Sequence, residues 1–355
     1  MADQRYQWSF EDSKYDSQYY RDRLTYSDYG IRTRIGLSGN ITDSNDLSYG
    51  FLARADHYYY NYRIKYVYND RQVYNSKNNH YRDGFELGRA YAYLSHPTFW
   101  YTSKDITVAD DRFVNDLEYD FFSNTIKFTA FNATTSEYDS VLSYYIPYKL
   151  GLSGGFSIAQ TKEENTTSKQ YATNLNYSNN GHMLSLTYAH TANSINKQLN
   201  NLINSYDIAY YNSKLADNLT VGLDFAYQDA KYNLVDSNDS QSSPYKDKTR
   251  SLGFKANYNF SQYFKPFVAL TFVHSKFTDL TGNYQFSPVY SKYKQYNFIL
   301  GASSTIYTYK SLYVDFIVED TYSRINTKYQ YANAALNYSA KTNLINLATA
   351  IKVGF

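Results

Sequence analysis

The chain has 355 residues, 45 of them Tyr and 21 Phe, with 5 Pro, 2 Met, no Cys and a formal net charge of +2. No stretch reaches the 18 or so apolar residues of a membrane helix, and the lack of Cys removes disulfides and thiolate metal sites. The nearly balanced charge, with basic residues dispersed, gives no reason to invoke nucleic acid. A mean hydropathy of −0.62 would mark a soluble protein, but a membrane-spanning β-barrel uses only alternate residues for its lipid face.

Alternation of apolar with small or polar residues recurs along the chain at intervals of about 20 residues, a strand plus a connection. Ile31, Thr33, Ile35 and Leu37 alternate with Arg32, Arg34, Gly36 and Ser38. Leu47, Tyr49, Phe51, Ala53 and Ala55 alternate with a face that carries Arg54 and Asp56. Leu150, Leu152, Phe156 and Ile158 follow the same rule, then Leu219 to Tyr227, then Leu252 to Phe260. The chain finishes on Ile345, Leu347, Thr349, Ile351, Val353 and Phe355, interleaved with Asn346, Ala348, Ala350, Lys352 and Gly354. A final strand with one greasy face implies a closed sheet in lipid, its last strand paired with the first.

The connections separate two architectures. Short links are expected at 42–45, 178–181, 214–218 and 261–263, and longer polar segments at 61–83, 161–169, 234–248 and 278–292. Short on one side and long on the other is the pattern of periplasmic turns and extracellular loops; a β-sandwich has no reason to keep it. The expectation is one all-β domain over 1–355, a transmembrane antiparallel β-barrel. Eighteen segments are counted, from 4–13 to 340–355, and sixteen fits nearly as well. Sixteen to eighteen strands leave an aqueous channel.

The order of these segments resembles the general bacterial outer-membrane porins. Arg5-Tyr6-Gln7-Trp8-Ser9-Phe10 and Arg32 to Leu37 resemble the first two strands of that family, and Gly88 to Leu94 the fourth. Phe99 to Val108, leading into Ala109-Asp110-Asp111-Arg112-Phe113-Val114-Asn115-Asp116, resembles the fifth strand and constriction loop. Two departures stand out: Ser103-Lys104 replaces the usual Gly-Arg, and the loop is short. Barrels of diderm-Firmicute porins are a further resemblance, without their N-terminal tethering region. The resemblance implies a passive diffusion channel for ions and small hydrophilic solutes, with no cofactor and no catalysis. It further implies a homotrimer in the bacterial outer membrane beside lipopolysaccharide, with Phe355 read by the barrel-assembly machinery. Ala2-Asp3-Gln4 follows no signal peptide, so an export signal is expected to have been removed, or the chain is a fragment. The alternative is the barrel pore of a polysaccharide-export or surface-lipoprotein assembly system, which usually follows a periplasmic helical-repeat region.

In such a channel the charges on the inner wall set selectivity, because a low-dielectric wall focuses their field. Arg32, Arg34 and Arg54 form the candidate basic wall; Asp110, Asp111, Asp116 and Glu118, with Asp120, form the candidate acidic loop. The same arginines, paired with wall carboxylates, would only stiffen the strands. Lys255, Asp224 and Asp315 read as isolated lumen charges, and Tyr58 to Tyr60 and Tyr144-Tyr145 as girdle residues or a sugar track. The six His show no metal-ligand spacing. Gly151-Leu152-Ser153-Gly154-Gly155 matches a nucleophile elbow but sits in an alternating strand with no helix after it.

Overall fold

The computed structural model describes residues 2–15, 21–68, 71–81, 86–102, 140–149, 151–163, 166–195, 198–235, 242–279, 288–310, 312–331 and 337–354. These form seventeen strand segments: β1 Ala2–Tyr15, β2 Arg21–Thr42, β3 Ser48–Tyr68, β4 Arg71–Tyr81, β5 Glu86–His96, β6 Phe99–Thr102, β7 Ser140–Lys149, β8 Leu152–Glu163 and β9 Thr166–Asn179. They continue with β10 His182–Ile195, β11 Gln198–Ala216, β12 Leu219–Val235, β13 Ser242–Tyr258, β14 Lys265–Asp279, β15 Pro288–Tyr309, β16 Leu312–Tyr331 and β17 Tyr338–Gly354. Every pairing between them is antiparallel.

The pairings return on themselves. β1 bonds to β2 on one side and to β17 on the other, with Ala2 opposite Val353 and Tyr15 opposite Ala340. β4 and β5 lie end to end against the upper and lower halves of β3. The seventeen segments therefore occupy sixteen positions around the ring, within the sixteen to eighteen expected. At ~4.8 Å between strands and a tilt of about 40°, such a ring is roughly 30 Å across between backbones.

Side chains sort by parity. On β9 the outward set Tyr171, Leu175 and Tyr177 is exposed, while the inward set Gln170, Ala172, Asn174 and Asn176 is buried. Leu223 and Phe225, Leu252, Leu270, Phe298 and Leu300, and Ile345, Leu347 and Ile351 extend this exposed apolar band around the wall. A water-soluble protein does not leave large apolar residues 40–76% exposed over a whole surface; a lipid-facing wall does. Asp320, between Leu300 and Leu347 in register, interrupts the band. A bulge between Thr305 and Tyr307 shifts the parity of β15 so that both Tyr307 and Tyr309 stay outward. With Phe260, Tyr263 and Phe264 they form the aromatic girdle at the end that carries the termini and short turns.

Those turns are built as expected at all four places. Asn180 and Gly181, both at positive φ (46° and 80°), close the β9–β10 hairpin. Asp43 Oδ1 accepts from the backbone N–H of Asn45 at 2.8 Å and of Leu47 at 3.0 Å, fixing the β2–β3 turn. Gly151 stands at φ 82° beneath Ser178, whose N–H donates to the Gly151 carbonyl at 2.7 Å. A Cβ there would come within 2.5 Å of the Ser178 oxygen. Gly151→Val should destabilise the barrel by at least about 2 kcal/mol, read as a lower urea midpoint in lipid vesicles. The residues after Gly151 run straight into β8, so the apparent nucleophile elbow is a hairpin turn followed by strand.

The opposite end differs from expectation. Most of 61–83 is strand, as are the flanks of 161–169, 234–248 and 278–292. These strand ends lie beyond the apolar band, with water on both faces, so nothing requires alternation there. The segments expected at 112–121 and 124–134 lie outside the described residues.

Candidate functional site

The inward set makes the site. On β9–β12 it presents Gln170, Asn174, Thr187, Thr191, Asp207 and Asp224, and on β13–β17 Thr271, Gln295, Asn297, Glu319, Thr321 and Asn346. Some of these polar groups bond to one another along the wall. Gln170 Nε2 donates to Thr191 Oγ1 at 3.0 Å. Gln295 Nε2 donates to Asn297 Oδ1 at 2.8 Å, and Asn297 Nδ2 to Thr271 Oγ1 at 2.6 Å. Ser275 Oγ and Thr249 Oγ1 both donate to Asp247 Oδ1, at 2.7 and 3.3 Å. A buried polar group without a partner is costly; these bonds supply partners for part of the wall, while Thr187 Oγ1 and Asn346 Oδ1 find none among the described residues.

Among the described residues, charge on this wall is sparse. Lys255 Nζ lies 5.7 Å from the centre of the Phe267 ring and within Coulombic range of Glu319, which also accepts from Thr321 Oγ1 at 3.2 Å. The tip of the Phe267 ring lies over Gly301, where a Cβ would collide with it. Near the far end the inward aromatics stack: Tyr232 on Tyr245 at 4.6 Å, Tyr245 by Phe277 at 4.9 Å, and Tyr329 by Tyr338 at 4.7 Å.

The backbone brings the three arginine positions together. Positions 32 and 34 on β2 alternate with outward Ile31 and Ile35, and position 54 on β3 pairs with Gly36. Arg34 stands opposite Asp56 in register, and Arg54 opposite Arg89 of β5. Asp110, Asp111, Asp116, Glu118 and Asp120 lie outside the described residues. Asp224 and Lys255 take the inward places expected of them, and Asp315 shares that parity. Tyr144 is 54% exposed on the outer wall, a girdle position and not a track. Asp207, Asp247 and Glu319 were not anticipated. Their parity opposite Tyr206 and Ile208, Leu252 and Phe316 respectively would have marked them as inward. Among the described residues no group of three or more His, Asp or Glu is placed to hold a metal.

No protein-family model matches the chain, and no curated protein matches it. Solved structures do. OmpT of Vibrio cholerae with loop L8 deleted, an outer-membrane protein, superposes over 99% of both chains at TM-score 0.54 and 10% identity. The trimer form of in-vitro folded OmpT gives TM-score 0.56 at 10% identity, over 99% of this chain and 98% of that one. An anion-selective porin from Comamonas acidovorans gives 0.51 at 13% identity, over 99% and 98%. The fold is that of the bacterial outer-membrane barrels, porins among them. At such identity the likeness speaks for architecture alone.

Proposed function

We propose that the chain is a porin of the bacterial outer membrane, a passive channel for ions and small hydrophilic solutes, with no chemical step. The observation that carries this reading is the sorting of faces around a closed ring: large apolar residues exposed outward, and inward a mixture of Ala, amides, hydroxyls and a few charges. Single larger apolar residues such as Phe267, Ile299 and Ile317 stand among the inward set. Transfer of a hydrated solute through hydrocarbon is prohibitive, and a wide ring with a polar wall removes that barrier. Asp110, Asp111, Asp116 and Glu118 supply the acidic side of a constriction in this reading, facing Arg32, Arg34 and Arg54. A homotrimer is part of the proposal, supported by the trimer form of a protein of the same fold.

Planar-bilayer recording under a salt gradient tests it. Stable, ohmic steps are expected, and their absence in refolded barrel would remove the channel reading. Neutralising Arg32, Arg34 and Arg54 to Gln together should shift the reversal potential toward cation preference by several millivolts, since removal of three fixed positive charges weakens anion accumulation in the lumen. An unmoved potential would take those positions out of the permeation path.

A further inference from the structure

The outer wall of β12–β16 changes character beyond its aromatic band. Register aligns Asp229, Lys248, Lys276, Lys292 and Lys328 as successive cross-strand partners. The next row down reads Tyr227, Arg250, His274, Lys294 and Asn326, and the next Phe225, Leu252, Phe272, Tyr296 and Arg324. All share the outward parity of Phe225, Leu252 and Tyr296, which are about half exposed. Lys292 lies within Coulombic range of Lys294, Lys276, Lys328 and Arg250. Asp229 is the only carboxylate in these rows, and it serves Lys248 at 3.6 Å. Arg250 donates to His274 Nδ1 at 3.0 Å, which makes the imidazole an acceptor and adds no negative charge.

Like charges directly opposed on neighbouring strands destabilise the pairing. Here a row of lysines crosses four strands, and the described residues supply no matching row of acids. Immediately below lies an apolar groove of about 500 Å³ on the outer wall, lined by Leu252, Phe272, Tyr296, Phe298 and Tyr322, with Arg324 at its edge. Phe272 and Tyr296 pack 5.0 Å apart across it. Aromatic rings with Tyr tips mark the level where hydrocarbon meets headgroups, and cations just above them stand at headgroup height. The end concerned is opposite the termini and short turns, hence the outer leaflet.

We propose that this wall holds a phosphorylated, acylated lipid of the outer leaflet. Its phosphates bridge Lys276, Lys292, Lys294 and Arg250, and one acyl chain lies in the groove beneath. Ammonium groups spread over adjacent strands suit phosphate oxygens, which accept several charge-assisted hydrogen bonds and carry more charge than a carboxylate. The lipid offsets the lysine repulsion and seals the rim of the barrel in its membrane. The inference rests on the outer-membrane reading but not on conduction, so a barrel that fails to conduct can still retain lipid, and the reverse.

The test is native mass spectrometry of the folded, detergent-solubilised barrel with three probes: diphosphorylated lipid A, the same lipid dephosphorylated, and inorganic phosphate. The diphosphorylated lipid should be retained about tenfold more tightly than the dephosphorylated one, with no phosphate adduct at equal concentration. The combined variant K276Q, K292Q and K294Q should weaken retention about tenfold or more. It should keep its heat-modifiable mobility, because removing like charges eases folding. K169Q on β9 should leave retention unchanged. Equal retention of both lipids, undiminished retention in the triple variant, or an equally strong phosphate adduct would each overturn the proposal.

Discussion

A chain that lacks residues 338–354 is expected to yield no folded barrel. β17 pairs along its length with β16 and along its upstream partner β1 from Ala2 to Tyr15. Its removal leaves β1 and β16 as open edges in lipid, where each unpaired backbone group costs several kcal/mol and water cannot substitute. A dozen such groups exceed the ~5–15 kcal/mol that holds an entire domain together. The readout is loss of heat-modifiable gel mobility, and a truncated chain that still ran as a compact species would refute closure by this strand. The seam can also be read in the intact chain, which has no native Cys to confuse the result. Tyr6 and Thr349 face each other in register on the outward side, so Tyr6→Cys with Thr349→Cys should oxidise to a cross-link. Tyr6→Cys with Ala350→Cys should not, because a one-residue slip puts the second thiol on the inner face.

Where one face meets lipid and the other the lumen, the strands were legible in sequence. Leu219 to Tyr227, Leu252 to Phe260 and the closing run from Ile345 show it, because the bilayer forces every second residue to be apolar. The same constraint explains what was missed. β4, Arg71–Tyr81, and the far half of β3 carry Tyr, Asn, Lys and Arg on both faces. Past the bilayer both faces meet water, so period two vanishes from the sequence although the backbone ladder continues. The inner wall was legible only in kind. Small and polar alternates announced it, and alternation counted from outward Phe316 places Glu319 inward and its neighbour Asp320 outward, but which of these groups meet each other follows only from the register. The basic rows could not be read at all. Their members are spread over residues 248–328 and become neighbours only once the register of three strand pairs is fixed.

Leu223→Arg is expected to destabilise the folded barrel by about 2–4 kcal/mol, measured as urea unfolding from lipid vesicles. Leu223 is outward and about 40% exposed, opposite Phe254 on β13 and Tyr210 on β11. On β12 it stands midway between Leu219 beside the short turn and Tyr227 near the basic rows, which places it close to the bilayer midplane. None of its register partners is a carboxylate, so a guanidinium there must thin the bilayer or stretch toward headgroups, and either response costs free energy. The informative comparison is Tyr211→Arg. That position opposes Gly222 on the inner wall, at a similar height on the neighbouring strand. A water-filled lumen solvates the new charge, so its cost should be about 1 kcal/mol or less, with the effect appearing in ion preference. The ratio between the two substitutions measures the quantity on which the channel reading depends, the difference in solvent on either side of one β-ladder. Equal costs would mean that the inside of the ring is as dry as the outside.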